Sequence, residues 1–274
     1  MRIVRFVDGD RVTRYGRLAS DEAAYPLVGD LFGTHRFEAD AVRVARLLAP
    51  VDPPNIFAIG LNYGLHADET GAKRPEEPVI FIKATTSLTA TGELIELPAS
   101  APDEVDYEAE LAIVIGRRAR RVPLERALEH VLGYTCANDV SARDCQKRRD
   151  KQWARGKSFD TFCPLGPWIV PAGELDPDHC RIVSRLNGRT MQDSNTSDMI
   201  FSCGELVSYL SHQFTLLPGT VILTGTPGGV GFTREPAVFL RDGDRIEVEV
   251  EGVGVLQNTV VNGQARLHEA TGST

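Results

Sequence analysis

Glu108 and Glu110 sit in an otherwise apolar run, Asp106-Tyr107-Glu108-Ala109-Glu110-Leu111-Ala112-Ile113-Val114-Ile115, and Asn138-Asp139-Val140-Ser141-Ala142-Arg143-Asp144 follows downstream. The stretch Leu111 to Ile115 reads as a strand buried on both faces. Side chains two apart on a strand share a face, so the two glutamates point the same way, roughly 6.6 Å apart along the strand. Like charges beside a core repel and resist desolvation, and one of them takes up a proton unless a counter-charge sits between them. Three hard oxygen donors, from Glu108, Glu110 and Asp139, suit Mg²⁺ or Mn²⁺ better than zinc. A solvated strand end is the alternative reading of Glu-x-Glu taken alone.

Three further constellations carry chemistry. His66 and Glu69 stand three apart in Gly60-Leu61-Asn62-Tyr63-Gly64-Leu65-His66-Ala67-Asp68-Glu69-Thr70-Gly71, and on one helical turn they face each other. A histidine held by a carboxylate keeps one tautomer and serves as a base toward water; the alternative is a solvated loop histidine. The charged stretch Ala72 to Pro78, flanked by glycine and proline, reads as a candidate lid. In Trp153 to Pro167, Lys157 either balances the carboxylates, grips an enolate or substrate carboxylate, or is a surface charge. Arg143 and Gln146 would share a helix face with Asp139 if a helix begins there, as a carboxylate clamp or a plain surface pair. Leu223 to Phe232 is a strand running into a glycine-rich loop, either a backbone cradle for an anion or a turn, and it lacks both nucleotide-binding glycine patterns.

The elements that must position these groups are mostly short strands. Runs at Ile56–Gly60, Val79–Lys83, Leu94–Leu97, Leu111–Ile115, Pro167–Pro171, Arg181–Leu186, Thr220–Thr224, Asp244–Val250 and Val253–Val260 have strand length and β-branched content. Helices are expected at Leu124 to Val131, Arg143 to Lys151 and Ser202 to Phe214. The first fifty residues form a unit of their own, with strands near 2–7, 11–17 and 23–28 and a helix over Ala39 to Leu48. Val51-Asp52-Pro53-Pro54-Asn55 then breaks the chain.

Composition bounds the function classes. The 274 residues are 42% hydrophobic and 25% charged, ordinary for a globular chain with a substantial core. A net charge of -8 argues against nucleic acid as a partner and leaves room for local funnels of positive charge toward an anionic substrate. No membrane span and no signal peptide are legible, so a cytoplasmic location is expected. Five cysteines without a Cys-x-x-Cys pair read as reduced thiols, and none is a candidate nucleophile.

Taken together and in this order, the five motifs (Gly60 to Tyr63 with His66 and Glu69, Asp106 to Glu110, Asn138 to Asp144, Gly156 to Pro167, Thr224 to Gly231) closely resemble the fumarylacetoacetate hydrolase family over about residues 55 to 262. The resemblance is to its smaller bacterial branch, similar to acylpyruvate hydrolases and 2-hydroxyhepta-2,4-diene-1,7-dioate isomerases. It implies a mainly β fold with some α, a mixed β-sandwich roll over residues 53–274 behind a small N-terminal α+β domain at 1–52. It also implies a homodimer with one Mg²⁺ or Mn²⁺ per subunit on Glu108, Glu110 and Asp139. His66 and Glu69 then form the water-activating dyad, Lys157 is catalytic, and Lys83, Arg143, Gln146 and Thr226 hold the substrate. The eponymous enzyme has an aspartate ligand where this chain has Asn62, and a glutamate for its histidine near the glycine loop that this sequence does not show. The implied reaction is hydrolysis of a C–C bond in a 2,4-dioxo acid of acylpyruvate or fumarylpyruvate type. Decarboxylation of an oxaloacetate-type acid, or isomerisation in aromatic catabolism, is the alternative.

Overall fold

The computed structural model describes residues 1–263. The chain opens with five strands: β1 (Ile3–Asp8), β2 (Thr13–Ser20), β3 (Ala23–Gly29), β4 (His35–Phe37) and β5 (Val42–Leu48). The helix expected over Ala39 to Leu48 does not form; β5 takes its place, so this unit is all-β rather than α+β. Val42 and Val44 alternate with Arg43 and Ala45, a period that suits a pleated surface. β5 also finds partners on two sides, Leu47 opposite Phe6 and Val42 opposite Ala24.

The body follows the double proline with β6 (Ile56–Gly60), α1 (Gly64–Thr70), β7 (Val79–Lys83), β8 (Leu88–Ala90), β9 (Leu94–Leu97), β10 (Val105–Asp106), β11 (Ala109–Ile115), β12 (Val131–Asn138) and β13 (Ser141–Ala142). It continues through α2 (Ala154–Lys157), β14 (Cys163–Pro171), β15 (Arg181–Leu186), β16 (Arg189–Asn195), α3 (Cys203–Gln213), β17 (Val221–Leu223), β18 (Arg245–Val250) and β19 (Gly254–Asn262). One sheet of twelve strands runs β2-β3-β5-β1-β14-β12-β11-β17-β6-β7, with β4 on β3 and β8 on β14. A five-stranded sheet, β16-β15-β18-β19-β9, and the two-strand ladder β10-β13 complete the mainly β fold. Ile3 of β1 pairs with Ile169 of β14, so the N-terminal strands extend the sheet of the body.

β11 is buried at every position, as its continuous apolar sequence requires. Leu111, Ile113 and Ile115 face one core, shared with β15, β18 and α3, while Ala112 and Val114 face a second, shared with β6, β14 and β17. Glu110 falls on the second face by alternation. α3 starts as its sequence dictates: Ser202 accepts from Glu205 N, and the Glu205 carboxylate accepts from Ser202 N, closing a capping box. The other two expected helices are reduced to a 3₁₀ segment, Leu124–His130, and a single π-helical turn, Cys145–Arg149.

Candidate active site

The strand-and-turn framework gathers the motifs around one cavity of about 290 Å³, whose wall includes His66, Glu108, Glu110, Arg143, Lys157 and Thr226. Glu108, Glu110 and Asp139 each bring an oxygen within 4.8 Å of the others, and all three are buried. β12 pairs antiparallel with β11, Ala109 opposite Asn138, which sets Asp139 beside the two glutamates.

The counter-charges are unevenly shared. Lys157 Nζ donates to Glu108 Oε2 and to Asp139 Oδ2, both at 2.6 Å. Lys83 Nζ donates to Asp139 Oδ1 at 2.5 Å, and Arg143 Nη1 lies 2.7 Å from Glu108 Oε1. Burial alone would raise the Glu108 carboxyl, but Lys157 and then Arg143 hold it well below the usual range. Burial would depress Lys157, and Asp139 with Glu108 overcomes it, so the ammonium is held charged. Glu110 receives only the Gly225 N–H, at 2.7 Å, and forms no ion pair among the described residues. Burial, then Asp139, then Glu108 push its carboxyl well above the ordinary value. The buried cluster thus lacks positive charge at Glu110, and its donors are all carboxylate oxygens. That is the chemistry a hard divalent cation fits.

The glycine loop does cradle anions, but they are the chain's own. Gly225 N serves Glu110, Gly229 N serves Glu69, and Gly231 N and Phe232 N donate to the two oxygens of Asp106 at 2.8 and 3.1 Å. Gly225 has φ +99°, and a Cβ on Gly231 would stand 1.8 Å from the Val238 carbonyl oxygen, so neither position admits a side chain. Asp106 also takes Tyr107 N and Arg143 Nε, both at 2.9 Å, tying the loop to the arginine of the cavity wall.

His66 and Glu69 lie on α1, with Nδ1 3.2 Å from Glu69 Oε2. The helix ends at Gly71, φ +64°, whose N–H bonds back to Ala67 and Asp68. Its first turn takes no local cap; Leu65 N donates instead to Asp198 Oδ2 across the fold. Glu69 is further pinned by Gly229 N at 3.1 Å and Thr233 Oγ1 at 2.9 Å. The glutamate that serves the histidine therefore reaches the glycine loop from α1 rather than originating in it.

Arg143 Nη1 donates to Gln146 Oε1 at 2.9 Å, but not along a helix shared with Asp139: Asp139 precedes β13, and the π-helical turn begins only at Cys145. Thr226 Oγ1 donates to Ala109 O and accepts from Gln192 Nε2. Lys83 stands behind Asp139 and is not part of the cavity wall. Asn62 is spent on backbone, donating to Phe201 O and Thr224 O and accepting Phe201 N. All five cysteines are free and buried. Sequence reasoning left Asp106, Phe232 and Trp153 without roles, although each stood inside a quoted motif. It missed Gln192, a buried amide in a polar strand, because nothing local marks it.

No helix among the described residues is long and apolar enough to cross a membrane. The family profile described as fumarylacetoacetate (FAA) hydrolase, C-terminal, matches residues 55–261, and one described as Rv2993c-like, N-terminal, matches residues 1–50. A mitochondrial oxaloacetate tautomerase of Bos taurus is 47% identical over 217 residues, 78% of this chain and 69% of that protein. The structure of a 5-carboxymethyl-2-hydroxymuconate delta-isomerase from Mycobacterium smegmatis superimposes with a TM-score of 0.85 at 43% identity, covering 96% of this chain and 100% of that one. A fumarylacetoacetate hydrolase from Exiguobacterium antarcticum gives 0.82 at 38% identity, covering 96% and 99%. With the acidic triad, the imidazole–carboxylate pair and the glycine loop gathered around one cavity, these matches establish that the chain belongs to the fumarylacetoacetate hydrolase family.

Proposed function

We propose that this chain is a divalent-metal-dependent enzyme that moves a proton between carbon and oxygen of a small 2-oxo dicarboxylic acid of the oxaloacetate type. The observation that carries the reading is one imidazole, oriented by Glu69, beside three buried carboxylates and two ion-paired cations, in a cavity whose wall carries no cysteine or serine. Mg²⁺ or Mn²⁺ held by Glu108, Glu110 and Asp139 would supply the charge that polarises a 2-oxo group and lowers the cost of an enolate. The hydrogen bond to Glu69 assigns the proton of His66 to Nδ1, leaving the Nε2 lone pair as the base. His66 takes a proton from the carbon beside the 2-oxo group and returns it to oxygen, or the reverse. Lys157 gives two N–H bonds to carboxylates and has a third for the developing oxyanion. The names of the tautomerase and isomerase relatives support this class of proton transfer.

The second reading is hydrolysis of an acylpyruvate or fumarylpyruvate, and the pinning of Glu69 by Gly229 and Thr233 favours it, because a rigid dyad suits a base that must also orient water. His66 would then take a proton from water, the oxygen would add to the distal carbonyl, and the C–C electron pair would leave as pyruvate enolate. The test offers Mg²⁺-loaded or Mn²⁺-loaded protein enol-oxaloacetate, fumarylpyruvate and acetylpyruvate, beside an EDTA-treated control. Accelerated loss of the oxaloacetate enol without release of CO₂ supports tautomerisation, and release of pyruvate plus a second acid supports hydrolysis. No metal-dependent change in any of the three would sink both readings.

A further inference from the structure

The run Lys147-Arg148-Arg149 leaves the π-helical turn beside the cavity, and its three cations have different fates. Arg148 pairs with Glu104 at 2.8 Å and Arg149 with Asp144 at 2.9 Å. Lys147 forms no ion pair among the described residues and instead lays its ammonium over Phe232, 3.8 Å from the ring centroid. Both Lys147 and Phe232 line the cavity. The backbone that carries the ring is held by Phe232 N donating to buried Asp106, and the Arg143 guanidinium lies 4.4 Å from the same centroid.

The other cations of the site each stand against a carboxylate of the chain. Lys83 and Lys157 neutralise Asp139 and Glu108, and Arg143 lies between Asp106 and Glu108. Lys147 is the cation of the cavity wall left without a carboxylate, it sits at the exposed end of the cavity, and the aromatic face limits where its ammonium can go. An unneutralised cation held at the mouth of a small cavity is complementary to an anionic group at the far end of the ligand. We infer that Lys147 binds a second carboxylate of the substrate and selects dicarboxylic 2-oxo acids over monocarboxylic ones of equal length. This rests on the reading of the cavity as a 2-oxo acid site and names the substrate class within it. The 2-oxo acid end lies at the buried triad, and the distal carboxylate reaches outward past Phe232 to the ammonium.

Calorimetric binding to the Mn²⁺-loaded protein separates this inference from the proposed reaction. The probes are 2-oxoglutarate and 2-oxovalerate, which differ in a terminal carboxylate against a methyl. Wild-type protein should prefer 2-oxoglutarate by about tenfold or more, the effect of one charge-assisted hydrogen bond. Lys147→Met should bring the two Kd values together by weakening 2-oxoglutarate alone, and Lys147→Arg should keep the preference. The side chain is solvent-accessible, so neither variant threatens the fold. Equal binding of the two probes by wild type, or a preference that survives in Lys147→Met, overturns the inference. A preference intact in a protein that turns over none of the offered substrates overturns the reaction and leaves the inference standing. Failure to bind either probe overturns the inference, while the reaction stands or falls on turnover of the three offered substrates.

Discussion

Asp106→Asn tests whether one carboxylate holds both the glycine loop and the arginine of the cavity. Its Oδ1 accepts Gly231 N at 2.8 Å and Tyr107 N at 2.9 Å, and its Oδ2 accepts Arg143 Nε at 2.9 Å and Phe232 N at 3.1 Å. An asparagine has one acceptor oxygen, so in either orientation its NH₂ faces two of these donors. The group is fully buried, and no water replaces the lost contacts. Leaving Arg143 short of one of its two carboxylates and two N–H groups unmet costs about 3–5 kcal/mol. At roughly 2–4 °C per kcal/mol for a chain of this size, the melting temperature should fall by roughly 6–20 °C. Differential scanning calorimetry of the metal-free protein reads the shift directly. A melting temperature within about 2 °C of wild type would refute the reasoning, since it would mean that other contacts hold the loop and Arg143.

The remaining predictions concern the triad and the dyad. Glu110 has a folded pKa raised above its unfolded value, so the protonated form stabilises the metal-free fold; that contribution is complete below the ordinary glutamate value and is lost as pH rises toward the raised one. Glu110→Gln in EDTA should therefore gain stability over wild type progressively as pH rises above the ordinary glutamate value, while Mn²⁺ affinity falls by roughly 100-fold or more. A stability difference flat with pH, or unchanged Mn²⁺ titration, would count against the assignment. His66→Ala should lose about 100-fold or more in kcat on whichever substrate is turned over, with Mn²⁺ affinity unchanged; loss of bound Mn²⁺ would contradict the division between base and triad. Glu69→Gln should cost roughly tenfold in kcat and weaken the Gly229 and Thr233 contacts, visible as faster amide exchange at Gly229; protection equal to wild type would show that the loop does not depend on the carboxylate.

The parts of the site that follow from local period were legible, and those that follow from distant pairing were not. Two-residue spacing alone puts Glu110 of β11 and Glu108 just before it on one side, and i,i+3 spacing alone brings His66 to Glu69. β12 escaped notice because Gly133 interrupts it. That glycine is there because a Cβ would stand 2.1 Å from the Val170 carbonyl oxygen of β14, a fact of the partner strand. β16 is polar except for Met191, yet its Gln192 accepts Ala109 N and donates to Thr226, so its value lies in what it supports across the fold. β5 was misread for the opposite reason: alanine, arginine and leucine favour a helix locally, and the open edges of β1 and β3 overrule them. The anion cradle in the glycine loop was visible as chemistry, but nothing in the sequence says that the anions are Asp106, Glu69 and Glu110.

The place of β17 in the large sheet, between β6 and β11, dictates an order of events during synthesis. A chain leaving the ribosome presents Glu108 and Glu110 before Lys157 has been added, and well before the Gly225 amide. Val221–Leu223 pairs with two strands made far earlier, and acids that still face water before that closure repel one another at little cost. Closure over so long a stretch of chain is slow, so the Gly225 and Gly231 amides should be among the last protected in pulse-labelled refolding; early protection there would contradict this sequence of steps. Lys83 and Lys157 are thus already in the chain when β17 closes the site, and the Gly225 amide reaches Glu110 only with that closure.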